Sequence, residues 1–298
     1  MATKQLWLGL LALVLLVCPP ACAGDNGGKT TGTGNGGDNA STPTRDGAAS
    51  AARIILHTSD GNIIVGSFVG AQAEAASPAC LLVHQLGKDR GTYSQFQRRL
   101  AEMRISSLAI DLRGHGESTN NGTVYFRNFT KDEEWAGMVN DFKAALDYLR
   151  SQPRIDPSRI GIVGASIGAN LAVIAAADEV TGQVENPAMC LVLLSPGANY
   201  HGIRPVPRAR ELGDMPVLVV SAKADGQSYS GSEAISQAAP GGEFRSLNGR
   251  AHGTDMFEID PNLMGEVIDW LHRHLTAARD ESASEAPAEN PPAQEDES

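Results

Sequence analysis

The chain is short of aromatic side chains, 5% of its 298 residues, and has only four cysteines. Basic residues are outnumbered, 24 Lys and Arg against 35 Asp and Glu, for a formal net charge of −11. A partner nucleic acid or anionic lipid surface would need a basic patch, so the charge balance excludes both as expected partners. No H-E-x-x-H and no paired C-x-x-C occurs, which leaves metal hydrolysis without ligands at a usable spacing. Gly32 to Gly37 matches G-x-G-x-x-G in form only, because no strand precedes it and no helix follows; no cofactor is implied.

Nor is there an apolar run long enough to span a bilayer. The longest, about a dozen residues from Leu6 to Val17, follows Lys4 and precedes small residues, which reads as an export signal over residues 1–23. Cleavage at Ala21-Cys22-Ala23 would release a soluble protein. Cleavage before Cys22 would leave a lipidated cysteine, and this outcome is favoured by the segment 24–52, a Gly, Asn and Thr-rich tether of the kind that holds a domain off a membrane. Against it, Pro19 and Pro20 stand where a lipobox usually has a branched apolar residue. The expectation is an exported protein, a cell-envelope lipoprotein ahead of a free secreted or periplasmic one, touching a membrane only through a lipid anchor at Cys22. The acidic, Pro-rich segment 278–298 reads as a disordered tail, since it has too little apolar surface to offset its ordering entropy.

Residues 53–277 remain, enough for one α/β domain. Strand-like apolar runs occur at Arg53–Thr58, Asn62–Val69, Ala79–His84, Ser107–Asp111, Arg159–Val163, Cys190–Leu194, Pro216–Ser221 and Glu243–Leu247. Asp60-Gly61 joins the first two as a hairpin-type turn. After the third, helix-like stretches intervene, chief among them one helix over Lys131–Arg150 with Trp135, Met138, Val139, Phe142, Leu146 and Leu149 on a stripe. A closing helix carries Glu266, Val267, Trp270, Leu271 and Leu275. Strands alternating with helices imply a mostly parallel sheet covered on both faces, with functional residues at the carboxyl ends of the strands. Cys80 and Cys190 fall in strands separated by another, about 10 Å apart, so two buried free thiols are expected.

The segment Arg159 to Asn170 places Gly164-Ala165-Ser166-Ile167-Gly168 between an apolar strand and an Ala-rich helix. This is the setting of a G-x-S-x-G nucleophile elbow, in which the glycines permit a sharp strand-to-helix turn and the serine hydroxyl stands above the sheet. With an antiparallel start, repeated strand-helix units and this elbow after the fifth strand, the chain resembles the α/β-hydrolase superfamily over essentially the whole folded region. The similarity is greatest to small serine esterases and dienelactone-hydrolase-like or lysophospholipase-like members. Asp111-Leu112-Arg113-Gly114-His115-Gly116-Glu117-Ser118 is similar to the D-x-R-G-x-G-x-S loop of that superfamily, where the glycines shape the pocket rim and His115 is read as structural.

The resemblance implies an eight-stranded, mostly parallel sheet with little or no cap, and an order of serine, acid, histidine. Asp225, past the strand PVLVVSA, and His252, after the last strand, match the acid and the base; Asp214 and Asp255 are the reserve acids. Ser166 would then form an acyl-enzyme, His252 act as general base and Asp225 orient it. Oxyanion donors would be the N–H groups of Ile167 and, in His84-Gln85-Leu86-Gly87, of Leu86. Gln85 departs from the superfamily's glycine there and is expected to narrow the backbone approach or to place an amide at the site entrance. His84 is expected to brace the loop. The short interval Pro196 to Met215 cannot build a large lid, so an open site for small or varied acyl groups follows, with Tyr200 and His201 as candidate lining. The expected substrate is a small carboxylic ester. The competing readings are a serine peptidase or amidase on the same fold, disfavoured by the lack of an accessory domain, and an inactive surface-tethered binding protein.

Overall fold

The computed structural model describes residues 50–73 and 75–276. The expected export segment with Cys22, the tether as far as residue 49 and the acidic tail lie outside the described residues.

Eight strands form one sheet in the order β1-β2-β4-β3-β5-β6-β7-β8. Their ranges are β1 Ala52–His57, β2 Ile63–Val69, β3 Ser77–Val83, β4 Ser106–Ile110, β5 Ile155–Ala165, β6 Cys190–Leu194, β7 Pro216–Ala222 and β8 Gly241–Leu247. All eight apolar runs of the sequence are therefore strands. β2 pairs antiparallel with both β1 and β4, and every other pairing is parallel. The helices are α1 Ser94–Glu102, α2 Asp132–Ala136, α3 Val139–Ser151, α4 Ile167–Thr181, α5 Pro205–Ala209, α6 Gln227–Ala238, α7 Met256–Ile259 and α8 Leu263–Thr276.

Central strands are apolar at every position because both faces are covered. On β6, Leu191 and Leu193 pack with Phe142, Leu146 and Leu171 on one side. Cys190, Val192 and Leu194 pack with Phe96, Trp270 and Leu271 on the other. Both cysteines are free and buried, as expected. Cys80 and Cys190 each sit opposite Gly161 of the intervening strand, and a Cβ at Gly161 would lie 3.1 Å from the Cys190 sulfur. Burial pushes both thiols up, Cys190 to about 12.

Two helix expectations change. The single helix over Lys131–Arg150 is instead α2 and α3, broken at Gly137-Met138. Gly137 N–H still reaches the carbonyl of Glu133, but Met138, Asn140 and Asp141 bond three residues back, a local tightening of the helical turn. The cause is tertiary. The Arg113 guanidinium lies against Gly137, where a Cβ would come within 3.2 Å of it, and is gripped by the fully buried Asp141 at 2.6 and 2.8 Å and by Asp60 at 2.5 and 3.0 Å. This cluster ties the β1–β2 turn, the loop after β4 and α3 together. In α8, Glu266 leaves the buried stripe and pairs with Arg245 at 3.1 Å.

Chain order runs outward from β3 to β4 on one side and resumes at β5 on the other, so the loops after β3 and β5 diverge above adjacent strands. That is the topological switch point, where open α/β sheets place their ligand crevice.

Candidate active site

Ser166 follows β5 directly and precedes α4. Its φ of 51° is a positive value for a residue with a Cβ, a strained conformation that the surrounding bonds impose. Its N–H donates to the carbonyl of Leu194 at the end of β6 (2.8 Å), and its carbonyl accepts from Asn170 (3.0 Å). The elbow glycines have no space for a side chain. A Cβ at Gly164 would lie 2.4 Å from the Gly168 carbonyl oxygen, and one at Gly168 2.6 Å from that of Val83. Close contact between the start of α4 and the end of β3 is the result. Ile167 begins α4, so its amide is among the N-terminal donors with no acceptor inside the helix.

Asp225 sits in the turn after β7, its N–H bonded to the carbonyl of Ala222 (2.9 Å). His252 follows β8. Its Nδ1–H donates to both carboxylate oxygens of Asp225, at 2.9 and 3.0 Å, which fixes the tautomer and leaves Nε2 free to accept a proton. The Asp225 side chain is 11% exposed and that of His252 37%. Asp255 instead lies 3.2 Å from Lys88 Nζ, and Asp214 is exposed, so neither reserve acid is the partner of His252. No hydrogen bond joins His252 to Ser166 among the described residues.

Gln85 behaves differently from the sequence expectation. Its side chain, 4% exposed, is neither in the backbone approach nor at an entrance but turns into the loop after His252. Oε1 accepts from the Thr254 amide (3.2 Å) and the Thr254 hydroxyl (2.9 Å), while Nε2 reaches the His252 carbonyl at 3.4 Å. One amide thus clamps the loop of Leu86 to that of His252. A second tie runs from Gly253 N–H to Ser195 Oγ at 3.0 Å.

His84 braces the same loop, as expected. It is fully buried; its Nδ1–H donates to the Gln85 carbonyl (2.8 Å) and its Nε2 accepts from the Leu112 amide (3.0 Å). His115 is structural: it stacks on Phe126 with ring centroids 4.0 Å apart and lies 5.0 Å from the His84 ring. Burial lowers both histidines to about 4, and for His115 the neighbouring His84 adds to the effect.

Beside Ser166 is a cavity of about 340 Å³, walled by α4, the loop after β6 and the start of α6. Tyr200 lines it and packs edge-on against Trp135, at 5.5 Å and 90°. His201 does not line it but stacks on Trp135 at 4.4 Å. Sequence reasoning missed Asn170, Gln227 and Ser228 in this wall; Asn170 was legible in principle, one helical turn beyond Ser166. The stretch from Pro196 to Met215 holds a tight Tyr200–Ile203 bridge and the five-residue α5, with no helical cap. Among the described residues, no group of three or more His, Cys, Asp or Glu side chains is arranged to hold a metal.

A family model described as a hydrolase, serine aminopeptidase S33, matches residues 74–216. The match includes Leu86, Ser166 and Ile167 and stops before Asp225 and His252. An uncharacterized protein of Mycobacterium tuberculosis is 28% identical over 143 residues, 48% of this chain and 44% of that protein. The uncharacterized protein YfhR of Salmonella typhi is 28% identical over 125 residues, 41% of this chain and 39% of its own length. The chain thus spans less than half the length of these curated relatives. Among solved structures, an esterase of Pyrococcus furiosus superposes with a TM-score of 0.57 at 16% identity, covering 76% of this chain and 94% of that one. A dienelactone hydrolase of Anabaena variabilis gives 0.56 at 18% identity, covering 76% and 97%. A thermostable carboxyl esterase of Bacillus coagulans gives 0.60 at 10% identity, covering 76% and 99%.

Proposed function

We propose that this chain, which has the fold of α/β hydrolases and matches a hydrolase family model over residues 74–216, is a hydrolase that cleaves carboxylic esters through an acyl-enzyme on Ser166. The observation that carries the reading is the Asp225–His252 bond at strand ends beside a strained serine elbow. His252 Nε2 takes the Ser166 proton as Oγ attacks the substrate carbonyl. The N–H groups of Ile167 and Leu86 hold the resulting oxyanion, and Asp225 stabilises the imidazolium. His252 then returns the proton to the leaving alcohol. Water, deprotonated by the same nitrogen, hydrolyses the acyl-enzyme and restores Ser166.

The family model's description favours a second reading, an aminopeptidase. Such an enzyme has to receive a substrate ammonium group, and among the described residues no carboxylate lines the cavity beside Ser166. That supports the ester. Export and lipidation at Cys22 belong to the same proposal, and the intact mass of protein recovered from the envelope tests them. For the reaction, the test is hydrolysis of p-nitrophenyl acetate against amino-acyl p-nitroanilides by the protein and by Ser166→Ala. Turnover of the ester alone, lost in the variant, is expected; turnover of the anilides ahead of the ester would move the assignment to the peptidase.

A further inference from the structure

The wall of the cavity beside Ser166 is mixed but uncharged. Asn170, Asn199, Tyr200, Gln227, Ser228 and Ser230 bring amides and hydroxyls to it, Ile167, Gly197 and Ala198 add apolar surface, and among the described residues no Asp, Glu, Lys, Arg or His lines it. Amides and hydroxyls both donate and accept, as sugar hydroxyls do. An alkyl chain would strip water from these groups and return no hydrogen bond, while a charged group would meet no counter-charge.

Two of the six are fixed by their neighbours. Asn170 is 1% exposed, and its Oδ1 accepts from Gly197 N–H at 2.9 Å. Its amide orientation is thereby set, leaving the NH₂ end as a donor one helical turn from the nucleophile. The ring of Tyr200 stands against the stacked Trp135–His201 pair, perpendicular to both within 2°, a supported wall of the kind that receives a ring. The volume is at the low end for small-molecule sites, about 300–1,000 Å³, which suits one sugar-sized group.

We propose that this cavity is the subsite for an uncharged, polyhydroxylated alcohol, so that the ester cleaved is that of a sugar or polyol; the inference rests on the serine hydrolase reading above. The alcohol half is assigned to it because its hydroxyls match the amides and hydroxyls of the lining, whereas an alkyl acyl chain would return them no hydrogen bond. Attack by Ser166 breaks the acyl–oxygen bond, and the neutral alcohol departs with the proton returned by His252.

The test compares kcat/KM of the full chain for three acetates of primary alcohols: a methyl glucoside acetylated at its primary hydroxyl alone, glycerol 1-monoacetate and hexyl acetate. Hydrolysis of p-nitrophenyl acetate serves as the measure of the serine reaction itself. A hydroxylated alcohol should be preferred to hexanol by about tenfold or more, the worth of one or two hydrogen bonds. Preference for the glucoside assigns a ring, and preference for the glycerol ester assigns a linear polyol; either supports the inference. Asn199 and Gln227 are exposed, so Asn199→Leu with Gln227→Leu preserves the fold and should lower the glucoside-to-hexyl ratio about tenfold. Turnover of p-nitrophenyl acetate together with a preference for hexyl acetate, or a ratio the double variant leaves unmoved, overturns this inference alone. No turnover of any ester overturns the serine hydrolase reading and this inference with it.

Discussion

Replacing Gln85 with methionine keeps the volume of its side chain and removes both the acceptor and the donor that hold the His252 loop. The Thr254 hydroxyl retains a partner in Thr92, 2.8 Å away, but the Thr254 amide, in a residue only 5% exposed, loses its acceptor. Leaving a buried N–H unpaired costs about 1–3 kcal/mol, and the lost hydroxyl contact adds less. The two contacts of Nε2, at 3.4 and 3.5 Å, are long and contribute little. The Gln85→Met protein should therefore unfold about 2 kcal/mol more easily in urea. Because the Asp225 contact still holds the ring, His252 should be loosened and not lost, lowering ester kcat/KM about 10- to 100-fold. Urea denaturation and initial-rate kinetics on p-nitrophenyl acetate read the two effects separately. Destabilisation with unaltered kcat would limit Gln85 to a structural brace, and unaltered values of both would refute the clamp.

Other expectations follow from the same geometry. Asp225→Asn should cut kcat by about three to four powers of ten, because the amide favours the wrong histidine tautomer, whereas Asp255→Asn should cost less than about tenfold; stopped or continuous ester assays separate them. Ser166→Gly should abolish turnover yet raise the unfolding free energy measured in urea by about 1 kcal/mol, since glycine relieves the positive φ; an unchanged or lower value would deny that strain is stored there. His84 and His115 titrate at about 4 in the folded protein and near 6.5 when exposed. Between these values the unfolded chain binds more protons, so stability is full above pH 6.5 and falls as pH drops towards 4, by up to about 3 kcal/mol for each ring. His115→Phe keeps the stack on Phe126 and should flatten roughly half of that decline in unfolding measurements between pH 7 and 4.

Much of this protein was legible in its sequence because the relevant signals are local. Strands buried on both faces read as continuous apolar runs, and the elbow needs glycines two residues either side of Ser166. The Asp225–His252 pairing followed from resemblance and strand-end position, and the structure brings the two side chains together. What escaped depends on distant chain. Gln85 and Thr254 are 169 residues apart, so no window of sequence reveals the clamp. The break at Gly137 arises where Arg113 packs on the helix, against a helical period that runs unbroken through Trp135, Met138 and Phe142. The polar cavity wall is assembled from α4, one loop and the first turn of α6, whose residues share no common period.

The most direct test is to treat the full chain with a fluorophosphonate and map the adduct by peptide mass spectrometry, with Ser166→Ala and His252→Ala alongside. A single phosphonyl adduct on the peptide containing Ser166, slow to form in His252→Ala and absent from Ser166→Ala, is the predicted result. Folded protein that stays unlabelled, or an adduct on another residue, would contradict the assignment of Ser166 as the nucleophile.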